Sequence, residues 1–151
     1  MNNKYYTVCG IIEIEGKVLL VRHTYGNAKD RILLPGGFVQ ENELPTVAVE
    51  REILEETGVA AKAKSIIAMQ FKPEQWCAVF VMDYISGTPK SDGLENSEVL
   101  LLAPEETVNR DDITNMSREI LMAYTTKHGE LSRSGYVPAS ANRDNYVIFG
   151  V

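Results

Sequence analysis

Apolar and polar positions change rhythm several times along the chain, and each change marks an element. Residues 4 to 14 are rich in β-branched and aromatic side chains, and Glu15-Gly16-Lys17 separates them from a second apolar run, Val18 to Val21, so the opening predicts a β-hairpin. From Arg22 to Arg31 the chain turns polar, with Gly26 and Asn27 as breakers, and Ile32-Leu33-Leu34 leads into a loop at Pro35-Gly36-Gly37. A helix of about four turns is predicted from Leu44-Pro45 to Gly58, because proline suits a first turn, where its missing amide has no helical partner, and glycine closes the end. Two strand-like runs follow, Ala63 to Phe71 and Trp76 to Ile85, parted by Pro73. A Gly-, Ser- and Asp-rich loop spans Ser86 to Ser97, and Val99 to Leu102 reads as a short buried strand. Met116, Ile120, Leu121 and Tyr124 recur at helical spacing, which predicts a second helix from Asn115 to Lys127 closed by Gly129. In the tail, Tyr146-Val147-Ile148-Phe149 is too apolar to stay in water and predicts a docked strand or a subunit contact. Strands interleaved with two helices, with no internal repeat or linker, make one α/β domain.

Composition narrows the function. A length of 151 residues suits a single domain that needs no staples. The 15 basic and 21 acidic residues leave a net charge of −6, which argues against general binding to DNA or RNA. No apolar run approaches the roughly 20 residues that span a bilayer, and Met1 to Tyr6 lacks the plan of a secretory signal, so a cytoplasmic protein without a membrane partner is expected. Cys9 and Cys77 sit in apolar stretches without metal or redox spacing and read as buried core thiols. His23 and His128 read as exposed.

The informative segment is PGGFVQENELPTVAVEREILEETGV, from Pro35 to Val59. At 100° per residue, Glu52, Glu55 and Glu56 fall within an arc of about 100° on one helix face. Like charges at these spacings destabilise a helix by roughly 0.2 to 0.5 kcal/mol per pair, and a hard divalent cation reverses that sign, with magnesium the natural candidate. Val47 and Leu54 on one flank and Val49 and Ile53 on the other predict burial on both sides, and Ala48, one turn before Glu52, leaves room for a ligand. Arg51 precedes Glu55 by four residues and can hold its carboxylate. Gly36 and Gly37 permit close backbone approach to a phosphate or metal. Phe71, Trp76, Arg22 and Arg31 are candidate contacts to a base or a phosphate.

This segment resembles the Nudix box: a glycine, five residues, Glu, seven residues, then Arg-Glu-aliphatic-any-Glu-Glu-any-Gly-aliphatic. Gly37, Glu43, Arg51, Glu52, Ile53, Glu55, Glu56, Gly58 and Val59 fill its positions without departure. The resemblance implies a Nudix fold, a mixed β-sheet sandwiched between helices, over residues 1–129; the tail 130–151 does not match the family's layout, and its apolar end predicts docking on the same domain or at a dimer contact. It implies Mg²⁺ or Mn²⁺ held by Glu52, Glu55 and Glu56 with the carbonyl of Gly36 or Gly37, and structural support from Glu43, Arg51 and Gly58. The general base is Glu52, Glu55 or a loop glutamate, Glu98 first and Glu95 second. The implied reaction is hydrolysis of the pyrophosphate bond in a nucleoside diphosphate linked to another group, or release of pyrophosphate from a nucleoside triphosphate, by a possible homodimer. The alternative is a Nudix-fold module that binds a nucleotide without cleaving it. Pro73, 15 residues beyond Gly58, resembles the pattern of members that prefer ADP-ribose.

Overall fold

Strand β1, Tyr5–Ile14, is the axis of the fold. In the computed structural model, which describes residues 5–127 and 129–151, β1 pairs in parallel with β6, Gln75–Ser86, from Tyr5↔Gln75 to Ile12↔Met82. Its other edge is shared. There it meets β4, Gly36–Phe38, at Thr7 to Cys9 and β2, Lys17–His23, at Glu13 and Ile14, both antiparallel. With β3 (Ile32–Leu33), β5 (Ala60–Phe71), β7 (Asn96–Leu102) and β8 (Leu131–Ser132), the sheet runs β3-β2-β1-β6-β5-β8, with β4 also on β1 and β7 also on β2.

Each face of this mixed sheet carries a helix because alternate residues of β1 point opposite ways. Val8 and Ile12 pack with Ala48, Val49 and Ile53 of α1, Pro45–Thr57. Ile11 packs with Ile120 and Leu121 of α3, Asn115–Thr125, which follows the single turn α2, Pro104–Thr107. The result is the α/β/α sandwich expected from the sequence. β2 is buried on both faces, Leu19 toward α1 and Val18 and Leu20 toward α3, which explains its unbroken apolar run.

Several local expectations are corrected. Gly36 and Gly37 form a short strand instead of a loop, since without side chains they fit tightly against β1. Val47 and Leu54 are exposed, and the buried stripe of α1 is Ala48, Val49, Ile53, Glu56 and Thr57. Ala48 is therefore a core residue, not space for a ligand. His23 is half-buried and stacks on Tyr25 at 5.2 Å, while His128 lies outside the described residues. Cys77 is buried but Cys9 only partly so, and both are free thiols.

The tail folds back on its own domain. β8 pairs with Ser65 and Ile66 of β5, and the Phe149 ring meets Phe80 edge-to-face at 5.7 Å. The apolar end of the chain is thus half-buried against its own domain. Phe149→Ala should lower unfolding free energy by about 2 kcal/mol in urea titrations, less than the ~3–5 kcal/mol of a fully enclosed phenylalanine because this ring is half-buried.

Candidate active site

The carboxylate face of α1 is assembled by two close approaches. Val49, Ile53 and Glu56 lie four and then three residues apart, so the periodicity that buries the first two carries Glu56 inward as well. Glu56 is 4% exposed, and its Oε2 accepts from the Gly36 N–H at 3.3 Å. Burial pushes its carboxyl up to about 8, opposed by that N–H and reinforced by the charges of Glu52, Glu95 and Asp92. Glu52 faces Gly37: a Cβ there would stand 2.4 to 2.6 Å from the Glu52 carboxylate, so only glycine leaves room. At Gly36 a Cβ would fall 2.0 Å from the Val8 carbonyl oxygen of β1.

Arg51 ties the parts together. Its Nε and Nη2 grip both oxygens of Glu43 at 2.7 and 3.0 Å, Nη2 also donates to the Phe38 carbonyl at 3.0 Å, and Nη1 reaches Glu52 at 3.0 Å and Glu55 at 3.2 Å. These bonds hold the Glu43 carboxyl below its ordinary range, whereas burial raises that of Glu52 against the pull of Arg51. Glu55, on the same face, has a side chain that is 58% exposed. Gly58 ends the helix in the left-handed conformation, φ 73°, and its N–H donates to Leu54 O.

Among the described residues, no three acidic, histidine or cysteine side chains stand close enough together to hold a metal as arranged. Between Glu52 and Glu55 the cation is Nη1 of Arg51. The donor set nevertheless fits a hard divalent ion, being carboxylate and carbonyl oxygens brought together where Gly37 has no side chain to displace Glu52. Glu52, Glu55, Glu56 and the Gly36 or Gly37 carbonyl would hold it, with Arg51 withdrawing onto Glu43.

Two further carboxylates differ in standing: Glu95 lies in the loop before β7, whereas Glu98, expected in that loop from the sequence, lies within the strand, paired across to Arg22 of β2. Glu98 is bound by Arg22 Nε at 2.9 Å, and Arg22 also holds Asp112 and the Asp30 carbonyl. Glu95 is exposed and is the one whose charge acts on Glu52 and Glu56. Arg31 spends its guanidinium on the carbonyls of Ile113 and Asp111. Phe71 and Trp76 do stand together, edge-to-face at 5.4 Å, and Trp76 lines a cleft of about 330 Å³ with Tyr6, Val39, Glu43 and Pro45. The sequence reading missed Asn96, a 1% exposed side chain whose Nδ2 donates to the Glu56 carbonyl at 2.9 Å and so pins this loop to the end of α1. The Asp92-Gly93 turn signal nearby was its only trace, since Asp92 Oδ1 accepts from the N–H groups of Leu94 and Asn96. Tyr25 was missed too; burial raises its phenol, and the charges of Glu95, Glu56 and Glu52 add to that rise.

This fold and this box belong together in known proteins. The NUDIX domain model matches residues 3–124, and the chain belongs to the Nudix family. It is 39% identical over 90 residues to an ADP-ribose pyrophosphatase of Methanocaldococcus jannaschii, covering 56% of this chain and 53% of that one. It is 35% identical over 78 residues to the phosphatase NudJ of Escherichia coli K12, covering 52% and 48%. The chain thus matches about half the length of these curated relatives. Among solved structures, a Nudix hydrolase from Nitrosomonas europaea superimposes with a TM-score of 0.76 at 26% identity over 85% of this chain and 73% of that one. A UDP-X diphosphatase does so at 0.66 and 26% over 83% and 64%.

Two substitutions separate the roles of the glycines. Gly37→Ala should displace Glu52 and weaken divalent-ion binding, read by calorimetry, with little loss of thermal stability. Gly36→Ala collides with backbone and should destabilise the fold by ~2 kcal/mol or more. Glu56 sets a pH dependence. Its folded carboxyl keeps the proton to about 8, while an unfolded one releases it near 4.3, so its contribution to stability is full below about 4.3 and is lost as pH rises through 8. Metal-free protein should therefore show a falling melting temperature over that window, and Glu56→Gln should flatten the fall.

Proposed function

We propose that the chain is a divalent-cation-dependent pyrophosphohydrolase that cleaves a nucleoside diphosphate linked to another group into a nucleoside monophosphate and the phosphorylated remainder. The observation that carries the reading is the convergence of Glu52 and Glu56 on Gly36 and Gly37, with Glu55 on the same helix face. A buried carboxyl with one N–H donor that makes no ion pair among the described residues costs stability when it ionises, which supports its being kept for a ligand. When bound, Mg²⁺ or Mn²⁺ would neutralise the phosphate oxygens and acidify a coordinated water.

The side chains divide the remaining work. Glu43 and Arg51 fix the angle of α1 against β4. Glu95 is the better placed loop base, because Glu98 is held by Arg22, and Glu52 is the candidate on the helix itself. Trp76 and Phe71 offer rings to the nucleoside, while Arg22 and Arg31 act as structural ties. ADP-ribose is the favoured substrate, supported by Pro73 and by the name of the archaeal relative. Among the described residues no helix is long and apolar enough to cross a membrane, and the net charge of −6 disfavours a nucleic-acid substrate. A homodimer and a cytoplasmic setting are expectations from the sequence; the docked tail gives the dimer no further support.

The test is a panel of ADP-ribose, nucleoside triphosphates, diadenosine polyphosphates and nucleotide sugars assayed with Mg²⁺ and again with chelator. Chelator-sensitive release of AMP from ADP-ribose, lowered at least a thousandfold in Glu55→Gln or Glu56→Gln with the circular dichroism spectrum unchanged, is the expected result. Full activity in either variant would remove that residue from the metal set. Metal-dependent ADP-ribose binding without AMP release would make the chain a binding module instead.

A further inference from the structure

Beyond the stretch that matches the family, the tail forms a loop closed at its neck. The Ser134 N–H donates to Ile148 O and the Gly150 N–H to Ser132 O, both at 2.9 Å, and Arg133 bridges Phe149. One side of the neck is the edge strand β8, and the other is anchored by Phe149 on Phe80. A loop so pinned holds a fixed shape, and compact loops with adjoining ends are frequent carriers of function. This one arches over a cavity of about 330 Å³ lined by Lys62, Arg133, Arg143, Tyr136 and Tyr146, with no carboxylate in its wall.

Such a lining is at odds with the rest of the molecule. In a chain of net charge −6, three cations gather here. Lys62 reaches Glu50 at 3.5 Å, but among the described residues no salt bridge engages Arg133 or Arg143. Guanidinium forks left open in this way match phosphate oxygens. Tyr136 and Tyr146 meet edge-to-face at 6.3 Å, which leaves ring faces available to a planar group. The volume falls within the roughly 300–1,000 Å³ of small-molecule sites.

The cavity lies on the other flank of α1 from the box glutamates. Glu52 rests on Gly37 of β4, whereas Glu50 accepts from the Ala63 N–H of β5, beside Lys62. Across β1 and β6, β4 and β5 are three strand spacings apart, about 14 Å. A ligand in the tail cavity therefore does not share the carboxylate face.

We propose that the tail loop is a second binding site, which takes a nucleoside monophosphate with its phosphate on Arg133, Arg143 and Lys62 and its base against Tyr136 and Tyr146. The site stands independently of whether the carboxylate face hydrolyses anything. Calorimetric titration of the full chain with AMP in the presence of chelator tests it. One AMP per chain is expected, weakened tenfold or more by Arg133→Gln with Arg143→Gln, both exposed positions, and unchanged by Glu52→Gln. Tyr136→Ala should weaken AMP while sparing inorganic phosphate, and adenosine should bind far more weakly than AMP. The proposal is overturned if AMP does not bind under chelator, if binding ignores the arginine pair, or if it is lost in Glu52→Gln instead. Inorganic phosphate binding as tightly as AMP would overturn the nucleotide assignment.

Discussion

A single guanidinium reconciles the acidic face of α1 with a folded protein. Glu43, Glu52 and Glu55 all contact Arg51, which also reaches the Phe38 carbonyl, so helix, preceding loop and glycine strand are cross-braced by one side chain. Without it, like charges would sit beside a buried carboxyl with nothing to offset them. The brace is also selective. Both Glu43 oxygens are taken in fork geometry, while Glu52 and Glu55 share the remaining nitrogen and are the contacts most easily given up.

The glycines complete that constraint from the other side. Because β4 lacks side chains at Gly36 and Gly37, it can lie against β1 while its amide and open face meet Glu56 and Glu52. Sheet pairing and carboxylate placement are consequently one problem with one solution. A larger residue at position 36 would disturb the pairing and one at position 37 the carboxylate, which is why an apparently featureless dipeptide matters as much as the charged residues it faces.

Much of this was legible in the sequence, and the gaps have physical causes. The extent of α1 followed from Pro45 and Gly58, and the grouping of its glutamates from the helical repeat. The burial of Glu56 was not anticipated because charge was weighed ahead of its position on the Val49–Ile53 stripe. Proline and glycines at 35 to 37 carry a turn signal, and their strand pairing depends on β1, 29 residues away at Val8↔Gly37. Arg22 and Arg31 looked free because their partners, Asp112 and Ile113, lie 90 and 82 residues further along. The tail carried an apolar signal without an address, which Phe80 and the edge of β5 supply.

The parallel pairing of β1 with β6 has a consequence for how the chain comes into being. Tyr5 is matched to Gln75, so the central strand is made first and its partner about 70 residues later, roughly 4 to 14 s at ~5–20 residues per second. Until then β1 has within the sheet only β2 and β4 beside it, and α1 is available to cover Val8 and Ile12 on one face alone. Pairings this remote in sequence slow folding, and an apolar strand awaiting its neighbour is open to association with other nascent chains. The architecture thus leaves the central strand without its longest partner during the seconds before β6 emerges.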